Sequence, residues 1–327
     1  MRPPLSRRKF LATFGVGGAA FAAGCSGGQS NPPALMEQPF NPSAAEPAAT
    51  LAPSATATAT STPTPAPTPT PTPRPQGTEE RLLMAGTQWE TPFFISSSGL
   101  DGPALVVLGG VHGNEPGGWM AALQAARWKP SRGVLAVLPR ANELAILRFL
   151  RERDGEGDLN RMYPGDPASE LPMSRLAAEI TALAGELRAE LLLDLHESWA
   201  FYIDREPAGF TNRQQIGTAF LGQTITAGPG PRAATIATQM GEIVNASITR
   251  EREMMVIRDG TPFGNTDSQG NPNSTRGRSS LSLGGHVPGL TPVLVEMGQQ
   301  GQDIDRRAEL HVRAVQAAMQ VLEMPAV

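Results

Sequence analysis

The sequence predicts an α/β fold, a single domain with a central, mostly parallel or mixed sheet flanked by helices. Four short runs are almost continuously apolar, which is typical of strands buried on both faces of a sheet. These runs are residues 104–108, 134–138, 191–195 and 293–295. Segments with helical patterning lie between them, and this alternation favours layers of helices on a sheet. Ligands of such folds bind beyond the carboxyl ends of the strands, so we expect the chemistry there.

The helical segments are predicted at residues 118–127, 141–151 and 173–188 and near the C-terminus. The last helix is the clearest, because its apolar residues recur every three or four positions. They are Ile304, Ala308, Val312, Val315, Met319 and Leu322. Residues 257–289 are rich in Gly, Asn, Ser and Pro, and we expect them to form long surface loops.

Composition and charge exclude several classes of protein. The chain has 327 residues and a single cysteine, which excludes a disulfide framework and a zinc site built from thiolates. The formal net charge of −4 becomes 23 − 31 = −8 without the four basic residues of positions 1–25. Since the rest of the chain is net negative and has no run of Lys or Arg, we expect no nucleic-acid partner. No stretch approaches the roughly 20 apolar residues of a membrane span.

Residues 1–25 resemble an export signal. Arg7 and Arg8 precede a Lys-Phe-Leu sequence, as in twin-arginine signals, and the weakly apolar run that follows is short. An ordinary secretory signal is the alternative. Residues 22–25 resemble a lipobox, in which Cys25 is lipidated, and simple cleavage after residue 22 is the alternative. We expect an exported protein, anchored by a lipid at Cys25 to the outer face of the cell membrane.

Residues 26–77 are predicted to be a disordered linker rich in Pro and Thr. Between residues 42 and 75 there is no aromatic side chain and one large aliphatic side chain, Leu51. Such a stretch buries too little apolar surface to offset the entropy of ordering it. Pro-rich chains favour extended polyproline II, so the linker is expected to act as a spacer. The remaining residues 78–327 are expected to fold as one domain.

Candidate metal ligands follow two of the predicted strands. The first strand leads into GGVHGNE, in which His112 and Glu115 can face one metal ion if the chain turns at Gly113. The third strand ends in DLH, with His196 as a second imidazole. Two histidines and one glutamate match the three protein ligands of a catalytic zinc, with one position left for water. Asp194 points to the same side of its strand as His196 and is expected to orient that ring.

Two further motifs carry polar residues. Residues 158–165 read DLNRMYPG, in which Asn160 and Arg161 can offer a neutral donor and a bidentate guanidinium to one carboxylate. A surface loop with an ordinary arginine is the alternative. Glu296 ends the apolar strand of PVLVEMG. Burying an unpaired carboxylate costs free energy, so a buried glutamate at this position calls for an explanation. A role as general base next to metal-bound water would provide one.

The order of these motifs resembles the succinylglutamate desuccinylase/aspartoacylase family of the zinc carboxypeptidase superfamily. The motifs are GGVHGNE, LPRAN, DLNRMYPG with Arg153 five residues before it, DLH and PVLVEMG, and they span residues 105–298. The resemblance implies a fold of the zinc carboxypeptidase type and one zinc ion as cofactor. It implies that His112, Glu115 and His196 hold this zinc.

The resemblance also implies roles for residues that face the substrate. Asn160 and Arg161 would bind a carboxylate of the substrate, and Arg153 would polarise the scissile carbonyl. Glu296 would act as general base and acid. Elementary chemistry agrees, because zinc lowers the pKa of a bound water toward about 7. Glu296 can then take the water proton and return it to the departing amine.

Two departures from the family pattern limit what the motifs say about the substrate. Aspartoacylases have an arginine ten residues before the catalytic glutamate, where it helps to bind a side-chain carboxylate of the substrate, and this chain has His286 there. Aspartoacylases also carry a β-rich domain after that glutamate, whereas only 327 − 296 = 31 residues follow Glu296 here. The motifs therefore support the catalytic core better than any particular substrate.

Several other residues are not assigned to the site. His311 lies off the apolar face of the last helix and is expected to be solvated, and His286 is expected to be a loop residue. Glu197 should point to the opposite side of the strand from His196. The tryptophans that we expect to be core residues are Trp119, Trp128 and Trp199.

The function predicted from these observations is that of an exported zinc-dependent hydrolase. It would cleave an amide bond of an N-acyl amino acid or small peptide-like substrate that carries a carboxylate. A metallocarboxypeptidase acting on peptides or cell-wall peptides is one alternative. A non-catalytic, carboxylate-binding lipoprotein is another, but all proposed metal ligands and Glu296 are present. We expect contact with a membrane only through the lipid anchor.

Overall fold

The computed structural model describes residues 75–206, 208–209, 219–259 and 279–327. The predicted export signal, Cys25 and nearly all of the predicted linker lie outside the described residues. Within them, no helix has both the length and the apolar character needed to cross a membrane.

The described strands form one mixed sheet of eight strands in the order β1-β2-β4-β3-β5-β8-β6-β7. They are β1 (Gly77–Leu83), β2 (Thr91–Ser97), β3 (Ala104–Gly109), β4 (Val134–Leu138), β5 (Leu191–Ser198), β6 (Thr224–Ala227), β7 (Val256–Asp259) and β8 (Thr291–Gly298). The four central strands β4, β3, β5 and β8 are parallel. β1 pairs with β2, β2 with β4, and β8 with β6 in antiparallel fashion, whereas β6 and β7 are parallel. The predicted fold class is confirmed.

Helices cover both faces of the sheet. They are α1 (Pro116–Ala125), α2 (Glu143–Arg148), α3 (Pro172–Glu186), α4 (Ala233–Asn245) and α5 (Ile304–Val321). α1, α4 and α5 bury their apolar side chains against one face, and α3 buries its own against the other. The carboxyl ends of β3, β5 and β8 therefore meet at one edge between these two layers.

The elements predicted from apolar runs are present, and the missed elements lack such runs. All four predicted strands occur, and β5 and β8 extend further, to Ser198 and Gly298. β1 at the edge of the sheet is mostly exposed, so its sequence GTEERLL has no apolar run. Residues 257–289 are not loop alone, because β7 and a short 3-10 helix at Ser280–Gly285 take part of them. Residues 260–278 lie outside the described residues.

The predicted face of the last helix is wrong in detail. Ile304 is exposed, whereas His311 is fully buried, so the expectation of a solvated His311 is incorrect. α5 packs against both α1 and α4, and the contact includes small residues such as Ala314 and Ala318. Alanine is only weakly apolar and contributes little to a sequence pattern, but its small side chain lets helices pack closely. The buried surface of α5 is therefore wider than the single row of apolar residues that the sequence shows.

Candidate metal centre

Three buried side chains meet at the carboxyl edge of the parallel strands. His112 and Glu115 lie in the loop between β3 and α1, and His196 lies in β5. His112 Nδ1 is 2.7 Å from Glu115 Oε1, and His196 Nδ1 is 2.9 Å from Glu115 Oε2. The two Nδ1 atoms are 3.1 Å apart. The three predicted ligands thus form, within the described residues, a group that could hold a metal ion.

Two glycines shape the loop that carries His112. Gly110 has a φ of +70°, in the left-handed region that glycine adopts most easily. The sequence predicts a turn made possible by Gly113, but the structure gives this residue a different task. A Cβ at Gly113 would collide with the backbone of Ala145 in α2, and its amide donates to the Arg151 carbonyl at 3.2 Å. Gly113 therefore provides space, and α2 packs directly against the ligand loop.

Each imidazole has a second carboxylate at its outer nitrogen. Asp194 Oδ2 lies 3.1 Å from His196 Nε2, and its role in orienting that ring stays a prediction. Asp158 Oδ1 lies 3.1 Å from His112 Nε2, a contact that sequence reasoning missed. The available signal was the position of Asp158 at the head of the DLNR motif, where it also accepts the Asn160 amide at 2.9 Å. Outer carboxylates of this kind fix which ring nitrogen faces a metal.

The donor set fits a zinc ion. With the proton of each ring on Nε2, both Nδ1 lone pairs and the Glu115 carboxylate converge as acceptors. The centre also favours positive charge. Burial lowers the pKa of His196, but Asp194 and Glu115 outweigh burial and raise that pKa well above its ordinary value. Two imidazoles and one carboxylate are a ligand set of catalytic zinc sites.

Glu296 lies next to this cluster, on the neighbouring strand. It pairs with His196 across the parallel strands β8 and β5, so the two side chains share one face of the sheet. Burial raises the pKa of Glu296 to about 7, although the charges of His196 and His112 oppose this rise. A carboxyl group with such a pKa can accept and return a proton near neutral pH.

The three predicted substrate-facing residues lie in the segment between α2 and α3. Arg153 Nη1 is paired with Glu156 Oε1 at 2.8 Å. Arg161 Nη1 donates to the Asn160 carbonyl at 2.8 Å. The Asn160 side chain is buried, and its Oδ1 has no hydrogen-bond partner among the described residues. Their roles toward a substrate stay predictions.

Arg151 contacts the cluster and was missed by sequence reasoning. Its Nη1 is 3.7 Å from Glu115 Oε1, and its Nη2 is 3.0 Å from Asp158 Oδ2. Burial raises the pKa of Asp158, but His112 and Arg151 outweigh burial and hold that pKa well below its ordinary value. The only sequence signal for this contact is that Arg151 lies close to the DLNR motif. Arg153 also lies close to it, so the signal does not distinguish the two arginines.

The tryptophans differ from the expectation that all three are core residues. Trp199 is 62% exposed, because it follows the last residue of β5, where the chain leaves the sheet. Trp119 and Trp128 are half-buried. His286 is exposed beside the 3-10 helix at Ser280–Gly285, as expected for a loop residue.

Residues 101–201 match the family model described as the succinylglutamate desuccinylase/aspartoacylase catalytic domain. The predicted family resemblance is confirmed. The matched stretch contains His112, Glu115 and His196 and ends before Glu296. A match to this catalytic domain supports hydrolase chemistry for the chain. A comparison with curated proteins gives no match.

Solved structures show the same fold at low sequence identity. Apo Csd4 from Helicobacter pylori is 18% identical, with a TM-score of 0.54 over 69% of this chain and 52% of Csd4. Csd4 is described as a D,L-carboxypeptidase. The succinylglutamate desuccinylase/aspartoacylase from Rhodobacter sphaeroides is 17% identical, with a TM-score of 0.51 over 76% of this chain and 66% of that protein. An aspartoacylase family protein from Mesorhizobium loti is 20% identical, with a TM-score of 0.52 over 77% and 68%. The chain spans about half the length of Csd4.

Proposed function

We propose that the protein is a zinc-dependent hydrolase that cleaves an amide bond of an N-acyl amino acid or small peptide-like substrate. The observation that carries this proposal is the position of Glu296, which pairs with His196 beside a buried group of metal-ligand candidates. A base beside a site for a Lewis acid is the arrangement that amide hydrolysis requires. The match to a hydrolase catalytic domain supports the same reaction class.

The protein's own residues supply proton transfer and positive charge. When bound, zinc supplies Lewis acidity, which polarises a carbonyl group and makes water more acidic. Glu296 takes the proton of the attacking water and returns it to the departing amine, a task that suits a pKa of about 7. Arg153 and Arg151 lie close together in sequence, and we propose that they stabilise the negative charge that develops on the carbonyl oxygen.

Asn160 and Arg161 are proposed to bind the carboxylate of the substrate. Both lie in the short 3-10 helix that Asp158 caps, and Asp158 in turn contacts His112. A guanidinium has several N–H donors, so its bond to the Asn160 carbonyl leaves capacity for a bidentate contact with a carboxylate. This arrangement would hold the substrate a short distance from the cluster.

Exposed apolar side chains on and just after α2, the helix that packs against the ligand loop, favour an acyl group as the other part of the substrate. Leu147 is 65% exposed, Phe149 is 59% exposed, and Leu150 is exposed as well. Phe149 ends α2 with a φ of 53°, and two residues later the Arg151 carbonyl accepts the amide of Gly113 in the ligand loop. Apolar surface of this kind, left in water beside a polar site, is typical of a binding surface.

A substrate panel on the zinc-loaded full chain tests the proposal. We expect hydrolysis of N-acyl amino acids, and the double variant Leu147→Ser/Phe149→Asn should lower kcat/KM more for long acyl groups than for acetyl. Leu100→Ser is the matched control, because Leu100 is equally exposed but precedes the amino end of β3. Unchanged selectivity in the double variant would contradict the role of the apolar surface.

The same panel separates the alternatives. Faster cleavage of peptides with a free C-terminus would favour the metallocarboxypeptidase. Binding of carboxylates by zinc-loaded protein without cleavage of any substrate would favour the non-catalytic binding protein.

We propose that the hydrolase acts outside the cell, anchored by a lipid at Cys25 to the outer face of the membrane. The support is the order of twin-arginine motif, apolar run and lipobox-like residues 22–25, followed by a long Pro- and Thr-rich segment. An extended segment of this composition would hold the hydrolase domain away from the membrane surface.

A further inference from the structure

Glu197 is a buried carboxylate that the proposed chemistry does not use. It follows His196 in β5, and its side chain points to the opposite face of the sheet. Its side chain is 0% exposed, and that of its ionic partner Arg307 is 8% exposed. Burying such a pair costs solvation energy, and additional hydrogen bonds to both side chains are needed to offset this cost.

The Glu197 side chain ties three elements together. Oε1 accepts the amide of Gly117 at 2.6 Å. Oε2 accepts Arg307 Nε in α5 at 3.0 Å and Gln299 Nε2, just after β8, at 3.1 Å. Gly117 is the second residue of α1, and the first, Pro116, has no amide proton, so this bond satisfies the first free amide of the helix.

Gly117 is small enough to permit this bond. A Cβ at Gly117 would collide with Glu197 Oε1 and would also meet the Arg307 Cβ. Its φ lies outside the left-handed region, so the requirement is for space and not for an unusual backbone conformation. The amino end of α1, Glu197 and Arg307 therefore fit together as one packed unit.

The same residue contacts a metal-ligand candidate through its backbone. The Glu197 amide donates to Glu115 Oε2 at 2.9 Å, and this oxygen also lies 2.9 Å from His196 Nδ1. Glu115 is the N-cap residue of α1, two positions before Gly117. Glu197 thus contacts this turn at two points. Its backbone amide binds the Glu115 carboxylate, and its side chain binds the Gly117 amide at the start of α1.

We infer that Glu197, neutralised by Arg307, is a positioning residue that sets the place of the Glu115 carboxylate in the metal centre. This inference rests on the metal centre of the proposed function. Fixing the first turn of α1 against β5 leaves Glu115 in the geometry in which one oxygen faces each imidazole. Partners that orient metal ligands change metal affinity by about 10–100-fold when they are removed.

The test is the zinc affinity of full-chain variants, measured by competition with a chelator under conditions where circular dichroism shows folded protein. Glu197→Ala should bind zinc about 10–100-fold more weakly than wild type. Glu253→Ala is the matched control, because Glu253 is equally buried and paired with Arg306 of α5, but its contacts do not reach the cluster. It should lower the melting temperature and leave the zinc affinity within about twofold of wild type.

A second variant keeps the test decisive if Glu197→Ala does not fold. Gly117→Ala retains every charge but pushes the Glu197 carboxylate off the helix, so it too should weaken zinc binding. Zinc affinity unchanged in either folded variant, or weakened as much in Glu253→Ala, would overturn the inference. Wild-type protein that binds no zinc would instead overturn the proposed metal centre.

Discussion

His196 and Glu296 are directly paired residues of the parallel strands β5 and β8. A shift of one residue in the register of these strands would move Glu296 to the other face of the sheet. The pairing of the two strands therefore keeps a metal-ligand candidate and the proposed base within one strand spacing of each other. The neighbouring residues on the opposite face, such as Leu195 and Val295, belong to the core that fixes this register.

The first prediction concerns Glu296→Gln. The amide keeps the size of the side chain but cannot act as a base, so kcat should fall by ~10²–10⁴. Zinc content should stay unchanged, because His112, Glu115 and His196 form the ligand group without Glu296. Steady-state kinetics and metal analysis on the same sample check both parts. A variant that loses its zinc, or one that keeps wild-type kcat, would show that the base lies elsewhere.

The second prediction concerns the pH dependence of activity. Glu296 can act as a base only when it is deprotonated, and burial raises its pKa to about 7. We expect kcat/KM to rise with pH up to neutrality and then to level off. A bound divalent cation favours the carboxylate and shifts the midpoint of this rise to lower pH. The residual activity of Glu296→Gln should lack the rise, and an unchanged profile in that variant would exclude Glu296 as its source.

The metal-ligand candidates were predictable because they belong to short motifs at strand ends. The carboxyl ends of parallel strands meet at one edge of the sheet. His112 and Glu115 after β3 therefore lie near His196 in β5 regardless of the conformation of distant loops. The contacts of Arg151 and Asp158 were not predictable. They depend on how the chain turns back after Phe149, and no periodic pattern records that turn.

The elements of the fold that sequence reasoning missed are those without a continuous apolar run. β3, β4, β5 and β8 are buried on both faces and read as apolar runs. β1 lies at an edge and is mostly exposed, and the buried β6 is a four-residue TITA sequence with alternating polar residues. His311 was misjudged because the buried face of α5 depends on two partner helices, and the sequence of α5 alone shows only one stripe.

The third prediction concerns the effect of zinc on stability. A ligand that binds only the folded state stabilises it, so zinc should raise the melting temperature of the wild-type protein. The double variant His112→Ala/His196→Ala should bind no zinc, and its melting temperature should not respond. His286→Ala is the control, because His286 is an exposed loop residue, and it should respond like wild type. Full zinc occupancy in the double variant would refute the assignment of ligands.

The fourth prediction concerns export and anchoring. Arg7→Lys/Arg8→Lys should block export, because the arginine pair is the feature that the twin-arginine machinery reads. Cys25→Ser removes the thiol that would carry the lipid, so the exported protein should leave the membrane fraction. Cell fractionation with a salt wash measures both effects. Cys25→Ser protein that remains membrane-bound after the wash would contradict the lipid anchor.

The fifth prediction concerns His311. Its side chain is fully buried in α5, and burial lowers its pKa to about 3, with a further lowering from the charge of His196. In the unfolded chain a histidine has a pKa of about 6.5. Between these two values the unfolded state binds more protons than the folded state. The contribution of His311 to the free energy of unfolding therefore falls as the pH falls below about 6.5.

His311→Leu removes this proton uptake and keeps the site filled with an apolar side chain. From pH 7.5 to pH 5, the variant should lose about 2 kcal/mol less unfolding free energy than wild type. Urea unfolding at both pH values, with a chelator present so that zinc does not contribute, measures the difference. His286→Leu is the control and should behave like wild type, because His286 is exposed in a loop. If His311→Leu and wild type lose the same free energy, the folded protein accommodates a proton on His311, and the acid sensitivity arises from another group.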